Sequence, residues 1–195
     1  MSQFRFDAET HTYYLDDKVM PSITQVLPYD YPEDNGQMAK GTAVHRMCYL
    51  FNIGRSDSDI LTDSELIPYL QDTLFWMYLE AFKKFRQEHE LNGVYDIKSG
   101  SPHPCTALQL AGQHLLSTRG LPLREETVFE MPMYHPVYKF AGTPDIVAGV
   151  NQVYALYLKD TGKYTLVNHS KDLRKNTQIF LSFLTCHKWR KENNL

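Results

Sequence analysis

The sequence predicts a mixed α/β (α+β) protein: a central mixed β-sheet flanked by helices and preceded by an N-terminal β-hairpin. Three observations carry this. Strand-like and helix-like stretches interleave along the whole chain. No linker or low-complexity stretch divides them. The 195 residues, 43% hydrophobic and 22% charged, suit one globular domain and leave little room for two. We therefore expect a single domain over 1–195, with a hairpin and helices in 1–92 and a sheet-bearing core in 93–195.

Taken in order, residues 3–16 carry aromatics on two arms with polar residues between, a hairpin pattern. Ser22 is placed to cap a short helix from Ile23 to Leu27. Residues 28–36 hold two Pro, one Gly and several Asp, Asn or Glu, so they predict a loop. Apolar positions at 43, 44, 47, 50 and 51 predict a helix over 37–52. A longer helix is expected from Pro68 to His89, with Leu70, Leu74, Met77, Tyr78, Ala81, Phe82 and Phe85 on one face. Residues 94–98 predict a strand and 105–117 a helix. Residues 126–134 and 138–148 predict two paired strands, and 153–158 with 163–168 a hairpin. A last helix is expected over 174–191.

The formal net charge of −3 excludes a uniformly basic protein but not a local basic surface. Residues 1–35 carry two basic side chains against seven acidic ones. Residues 171–192 carry six basic against two acidic. That basic stretch suits a phosphate backbone or simply a solvated helix face. Three cysteines without a CxxC pair indicate neither a zinc site nor a disulfide framework. The opening residues do not read as a signal peptide, and no apolar run has membrane-spanning length. A soluble, reducing, cytoplasmic setting is the expectation.

The chemistry gathers in two segments. Gly142-Thr143-Pro144-Asp145 ends in an acid that runs into apolar Ile146, Val147 and Ala148. In Asp96-Ile97-Lys98 the acid and the lysine stand two apart, on one face of a strand. Charges set among hydrophobic residues need a reason. Two acids on neighbouring strands make a hard oxygen site suited to Mg²⁺ or Mn²⁺. A lysine beside them can position water and offset phosphate charge, which suits metal-assisted phosphodiester hydrolysis. Asp-x-Lys alone also suits a surface ion pair.

These residues resemble the PD-(D/E)XK nuclease superfamily, above all phage and prophage RecB-like exonucleases. The match rests on Phe140-Ala141-Gly142-Thr143-Pro144-Asp145, on Asp96-Ile97-Lys98-Ser99-Gly100 and on Ala107-Leu108-Gln109-Leu110-Ala111. His11 to Asp16 with Pro21 to Leu27 is similar to the family's N-terminal segment, and Gly41-Thr42-Ala43-Val44-His45 to its helix histidine motif. Glu130 resembles the acid of the first core strand. Residues 154–189 resemble the closing hairpin and helix. The family pattern has the glutamate strand and G-T-x-D before D-x-K. Here the two blocks, roughly 93–120 and 121–152, stand in exchanged order. Asn92-Gly93-Val94-Tyr95 and Asn151-Gln152-Val153-Tyr154 are similar at the two junctions. A reading in the ordinary order uses Asp145, Lys159 and Gln178, but puts Tyr157, a poor Mg²⁺ ligand, where the second acid belongs.

The resemblance implies a restriction-endonuclease-like core and a Mg²⁺- or Mn²⁺-dependent deoxyribonuclease, an exonuclease of phage-type recombination in a bacterial host. Asp145 and Asp96 become metal ligands, with the Ile97 carbonyl a third, and Lys98 orients or deprotonates the attacking water. Glu130 is a second metal or metal-water ligand, or a strand-end acid. His45 is a metal or metal-water ligand, or a packed histidine. Gln109 and Gln113 share a helix face and support the lysine or contact DNA, although many relatives carry Tyr where Gln113 stands. Tyr29-Asp30-Tyr31 is placed to stack on unpaired bases or to pack on the core. DNA is the expected partner, with a recombination or single-strand annealing protein beside it and no membrane. Two other readings stay open: a catalytically weak nuclease-fold DNA-binding protein, and an interaction module. The exchanged order carries a geometric expectation. Asp145 and Asp96 should approach to about 4–5 Å, close enough to share an ion, with Lys98 beside them and Lys159 away.

Overall fold

A computed structural model describes residues 3–28, 36–119 and 127–195. The segment Tyr29-Asp30-Tyr31 lies outside them. The N-terminal hairpin forms from β1 (Phe4–Asp7) and β2 (Thr12–Leu15), and β3 (Lys18–Met20) extends it to three antiparallel strands. Ser22 caps α1 (Ile23–Val26), and Gln25 returns the bond in a reciprocal capping box.

Two helices follow as expected from their stripes: α2 (Gln37–Asn52) and, after the short α3 (Asp57–Leu61), α4 (Thr73–Glu88). The α4 start differs from the sequence expectation. The helix begins at Thr73, not Pro68, because the Asp72 carboxylate accepts from the Leu74 amide and supplies the N-cap. That shift leaves Leu74 exposed, while Phe75, Tyr78, Leu79, Ala81, Phe82 and Phe85 are buried.

The main sheet is mixed, in the order β10-β9-β4-β8-β5. Its strands are β4 (Val94–Lys98), β5 (Val128–Phe129), β8 (Ile146–Val147), β9 (Val153–Leu158) and β10 (Tyr164–Asn168). β6 (Met133–Tyr134) and β7 (Ala141–Gly142) form a separate two-stranded pair. The two continuous strands expected over 126–134 and 138–148 are thus broken into short pieces. Glu130 adopts a left-handed φ of 42°, Pro132 follows it, and Pro144 interrupts the second arm. Prolines cannot donate to a ladder, and a left-handed residue cannot continue one. α5 (Cys105–Arg119) and α6 (Leu173–Glu192) complete the fold.

The strand period sorts the sheet into two faces. Tyr95, Ile97, Ile146, Leu156 and Leu158 pack with α2, α3 and α4. Val94, Val153, Ala155 and Tyr157 pack with Leu110 of α5. Fully burying side chains such as Phe75, Phe82 and Phe85 contributes roughly 1.5–3 kcal/mol each. β4 and β9 run parallel, Val94 beside Val153 and Tyr95 beside Tyr154. Their starts are so close that a Cβ on Gly93 would meet the Gln152 carbonyl oxygen at 2.6 Å. The similar segments at 92–95 and 151–154 therefore open adjacent strands. The three cysteines are free, two of them buried. Among the described residues no helix is long and apolar enough to cross a membrane.

Candidate active site

The site is set by strand register. β4 and β8 pair antiparallel, Val94 with Val147 and Tyr95 with Ile146. One further step brings Asp145 abreast of Asp96. β5 pairs with β8 through Val128 with Val147 and Phe129 with Ile146. One further step brings Glu130 abreast of Asp145, and its amide donates to the Asp145 carbonyl at 3.0 Å. Glu130, Asp145 and Asp96 thus follow one another just where the β5–β8–β4 pairing ends.

Asp96 is held from the α5 side. Its Oδ1 accepts from Gln109 Nε2 and from Gln113 Nε2, each at 3.0 Å. Its Oδ2 lies 2.9 Å from Lys98 Nζ. Lys98 Nζ in turn donates to Gln109 Oε1 at 3.0 Å. Two features of sequence produce this cluster. The i, i+2 spacing puts Asp96 and Lys98 on one strand face, and the i, i+4 spacing puts both glutamines on one helix face. Burial raises the Asp96 pKa and Asp145 adds repulsion, while Lys98 opposes both.

Asp145 is held differently. Its Oδ1 faces His45 Nδ1 of α2 at 3.2 Å, and its Oδ2 accepts from the Ile97 amide at 2.5 Å. Burial works against its charge, but His45 and the Ile97 amide prevail and lower its pKa. Burial alone would lower the His45 pKa. The Asp145 charge and hydrogen bond lift it to about 9, so this imidazole is a cation at neutral pH. Glu130 is pushed up to about 7, by burial first and then by Asp145.

The turn that carries Asp145 is braced by the N-terminal segment. Thr143 Oγ1 bonds the hydroxyl of buried Tyr13 at 2.8 Å, and the Ala141 amide donates to the Pro21 carbonyl at 3.0 Å. A Cβ on Gly142 would stand 2.8 Å from Ile23 Cδ1 and 3.1 Å from Leu116 Cδ1, so α1 and α5 close tightly on this strand and a side chain there would push those tips aside. The resemblance pointed to these segments separately, and nothing in their spacing indicated that they touch.

Asp145, Asp96, Ile97, Lys98, Glu130, His45, Gln109 and Gln113 are all brought together. Lys159 and Gln178 are not. Lys159 stands exposed in the β9–β10 turn, where its amide donates to the Lys163 carbonyl, and Gln178 is exposed on α6. One neighbour escaped the sequence reading. Arg46 pairs with Asp63 at 2.9 Å and its charge lowers the Glu130 pKa. It carries no signal in spacing, since it depends on which elements pack together. Tyr157, which the ordinary-order reading put in the place of the second acid, lies beside Lys98 in parallel register.

The donor set can be weighed against a divalent cation. The Asp145 charge raises the pKa of both Asp96 and Glu130, a repulsion between hard oxygen donors that a divalent cation relieves. The donor chemistry therefore fits Mg²⁺ or Mn²⁺. As they stand, no three His, Cys, Asp or Glu side chains among the described residues converge as a metal cage. Compared with protein-family models, with curated proteins and with solved structures, the chain finds no match.

Proposed function

We propose that this protein is a Mg²⁺- or Mn²⁺-dependent deoxyribonuclease of the PD-(D/E)XK kind, an exonuclease acting in phage-type DNA processing. The observation that supports it best is the row Glu130, Asp145, Asp96 with Lys98 fixed two residues beyond. In this reading Asp145, Asp96 and the Ile97 carbonyl hold the metal, and Glu130 adds a further oxygen. When bound, the metal supplies Lewis acidity and a more acidic water.

The protein's own residues do the rest. Lys98 Nζ stands 2.9 Å from Asp96 Oδ2. Gln109 accepts from Nζ while it donates to Asp96, so the lysine and the ligand keep a fixed separation. The ammonium then orients the attacking water and offsets charge on the phosphate. Gln113 holds Asp96 from the buried side. His45 keeps Asp145 ionised at neutral pH. The exchanged block order is compatible with this reading, because catalysis needs proximity in space and not order in sequence. The segment leaving β8 passes the start of β4, with the Ala148 amide on the Gly93 carbonyl at 3.0 Å, and then enters β9 beside it.

One observation favours a second reading, a DNA-binding protein that retains the fold with weak or no catalysis. Each aspartate is already engaged by internal donors, and no three-donor cage is preformed among the described residues. One experiment separates the two. Plasmid and end-labelled linear DNA are incubated with Mg²⁺, with and without EDTA. Metal-dependent degradation that disappears in Asp145→Ala and Lys98→Ala supports the nuclease. DNA binding without degradation supports the second reading, and the absence of both binding and degradation overturns both.

A further inference from the structure

The β6–β7 turn is built to display apolar and basic side chains. His135 is buried, and its Nδ1 accepts from the amides of Val137 and Tyr138 at 3.2 and 3.0 Å. Its carbonyl accepts from the Lys139 amide at 2.9 Å, and its ring stacks on Phe140. Phe140 is fully buried against Phe180 of α6. The turn is therefore pinned at its base. Its tip nevertheless leaves Val137 69% and Tyr138 40% exposed. The end of α6 comes alongside. Lys188 Nζ donates to the Tyr138 carbonyl at 2.6 Å, and the next residue, Trp189, is 56% exposed. Burial and then the nearby Lys139 charge lower the Lys188 pKa, while Glu192 opposes them. Lys191 lies one turn further along the same side of the helix. Of the six basic residues of 171–192, Lys171, Arg174 and Lys175 stand at or just before the start of α6, and Lys188, Arg190 and Lys191 at its end, roughly 20–25 Å away. The C-terminal group stands beside the exposed Tyr138 and Trp189.

We propose that Tyr138 and Trp189, flanked by Lys139, Lys188 and Lys191, form a binding platform for single-stranded DNA. Exposed rings stack on unpaired bases of any sequence, and ammonium groups follow the backbone. The pinned turn presents Tyr138, and the last turns of α6 present Trp189, at low ordering cost. Tyr138 lies seven residues from Asp145, at most roughly 25 Å of extended chain, so one strand can span platform and site. The platform deepens the nuclease reading by naming the strand form of its substrate, and in that respect it rests on that reading.

The test uses the full chain in EDTA, which separates binding from cleavage. Fluorescence anisotropy follows a labelled oligothymidylate of about 20 nucleotides, longer than the roughly 4–16 that such a surface covers. Tyr138→Ala and Trp189→Ala should each weaken binding about 5- to 100-fold without shifting the thermal transition. Lys139→Gln should lower the slope of log affinity against log salt by about 0.7. The proposal is overturned by absent binding, by unchanged affinity in both aromatic variants or by tighter binding of a blunt duplex. Equal displacement by polyglutamate would overturn it in favour of an acidic protein partner. Metal-dependent cleavage with unaffected binding removes the platform and leaves the nuclease. Lost binding in the variants without any cleavage leaves the platform and removes the nuclease.

Discussion

Asp96 and Asp145 lie abreast on adjoining strand positions, yet they are stabilised in opposite ways. Asp96 sits under α5 and receives two neutral amides and a half-exposed lysine. Burial dominates there, and its pKa rises. Asp145 reaches toward α2 and receives a histidine and a backbone amide. There the imidazolium outweighs burial, and its pKa falls. A cation stands beside each carboxylate, but at Asp96 the lysine does not overcome burial, whereas at Asp145 the imidazolium and a backbone amide do. The α5 side of the site is thus a positioning frame, and the α2 side sets the ionisation.

Breaking the frame at its charged member should have the largest effect. If Lys98 acts on the attacking water, Lys98→Ala lowers the Mg²⁺-dependent cleavage rate by about 10²–10⁴-fold. Residual cleavage above a tenth of wild type would remove Lys98 from the chemistry.

The two aspartates should differ in stability. Asp145→Asn leaves the His45 cation facing a neutral amide and should cost roughly 2–4 kcal/mol in urea unfolding at pH 7. Asp96→Asn removes a charge that burial already opposes, keeps an oxygen for the Gln109 and Gln113 amides, and should cost about 1 kcal/mol or less. Equal costs would contradict the division of roles.

The α2 side should also impose a pH dependence. Folded Glu130 holds its proton up to about 7 against an ordinary 4.5. Its contribution is therefore full below pH 4.5 and is lost as pH rises through 7. His45 contributes fully below 6.5 and loses its contribution as pH rises through about 9. Urea midpoints in EDTA should thus fall from pH 5 to pH 9. Glu130→Gln should remove the lower part of that fall, about 1–3 kcal/mol. Saturating Mg²⁺ should flatten the curve as well, and a flat curve in EDTA would show that these groups titrate normally.

The smallest contrast lies between the glutamines. Gln113 is buried and Gln109 only partly so. Gln113→Leu should cost about 1–2 kcal/mol and Gln109→Leu about 0.5 kcal/mol. The order should reverse for cleavage, because only Gln109 also holds Lys98.

Much of this arrangement was legible in the residues. The spacing of Asp96 and Lys98, and of Gln109 and Gln113, fixes which side chains share a face, because strands and helices have set periods. The strand 94–98 and the helices at 37–52 and 105–117 follow from the same periods. The helix expected from Pro68 was misplaced, because the apolar stripe continues through residues that form turns and only the Asp72 cap marks the true start. The strands expected over 126–134 and 138–148 were too long. Backbone breaks at Glu130, Pro132 and Pro144 divide them, and hydrophobic pattern alone does not register a left-handed φ.

Local pattern thus determined which residues could act together within one element: Asp96 with Lys98, Gln109 with Gln113, and the apolar faces that bury α2, α4 and β4. Only the tertiary structure decided how those elements meet. It placed Asp145 beside β4 and not beside Lys159, it turned His45 toward Asp145 rather than toward the core, and it set Glu130 in the carboxylate row. The physical reason is one of range. Periodicity is a property of a few consecutive residues, while charge pairing, desolvation and strand register depend on segments up to a hundred residues apart, such as His45 and Asp145.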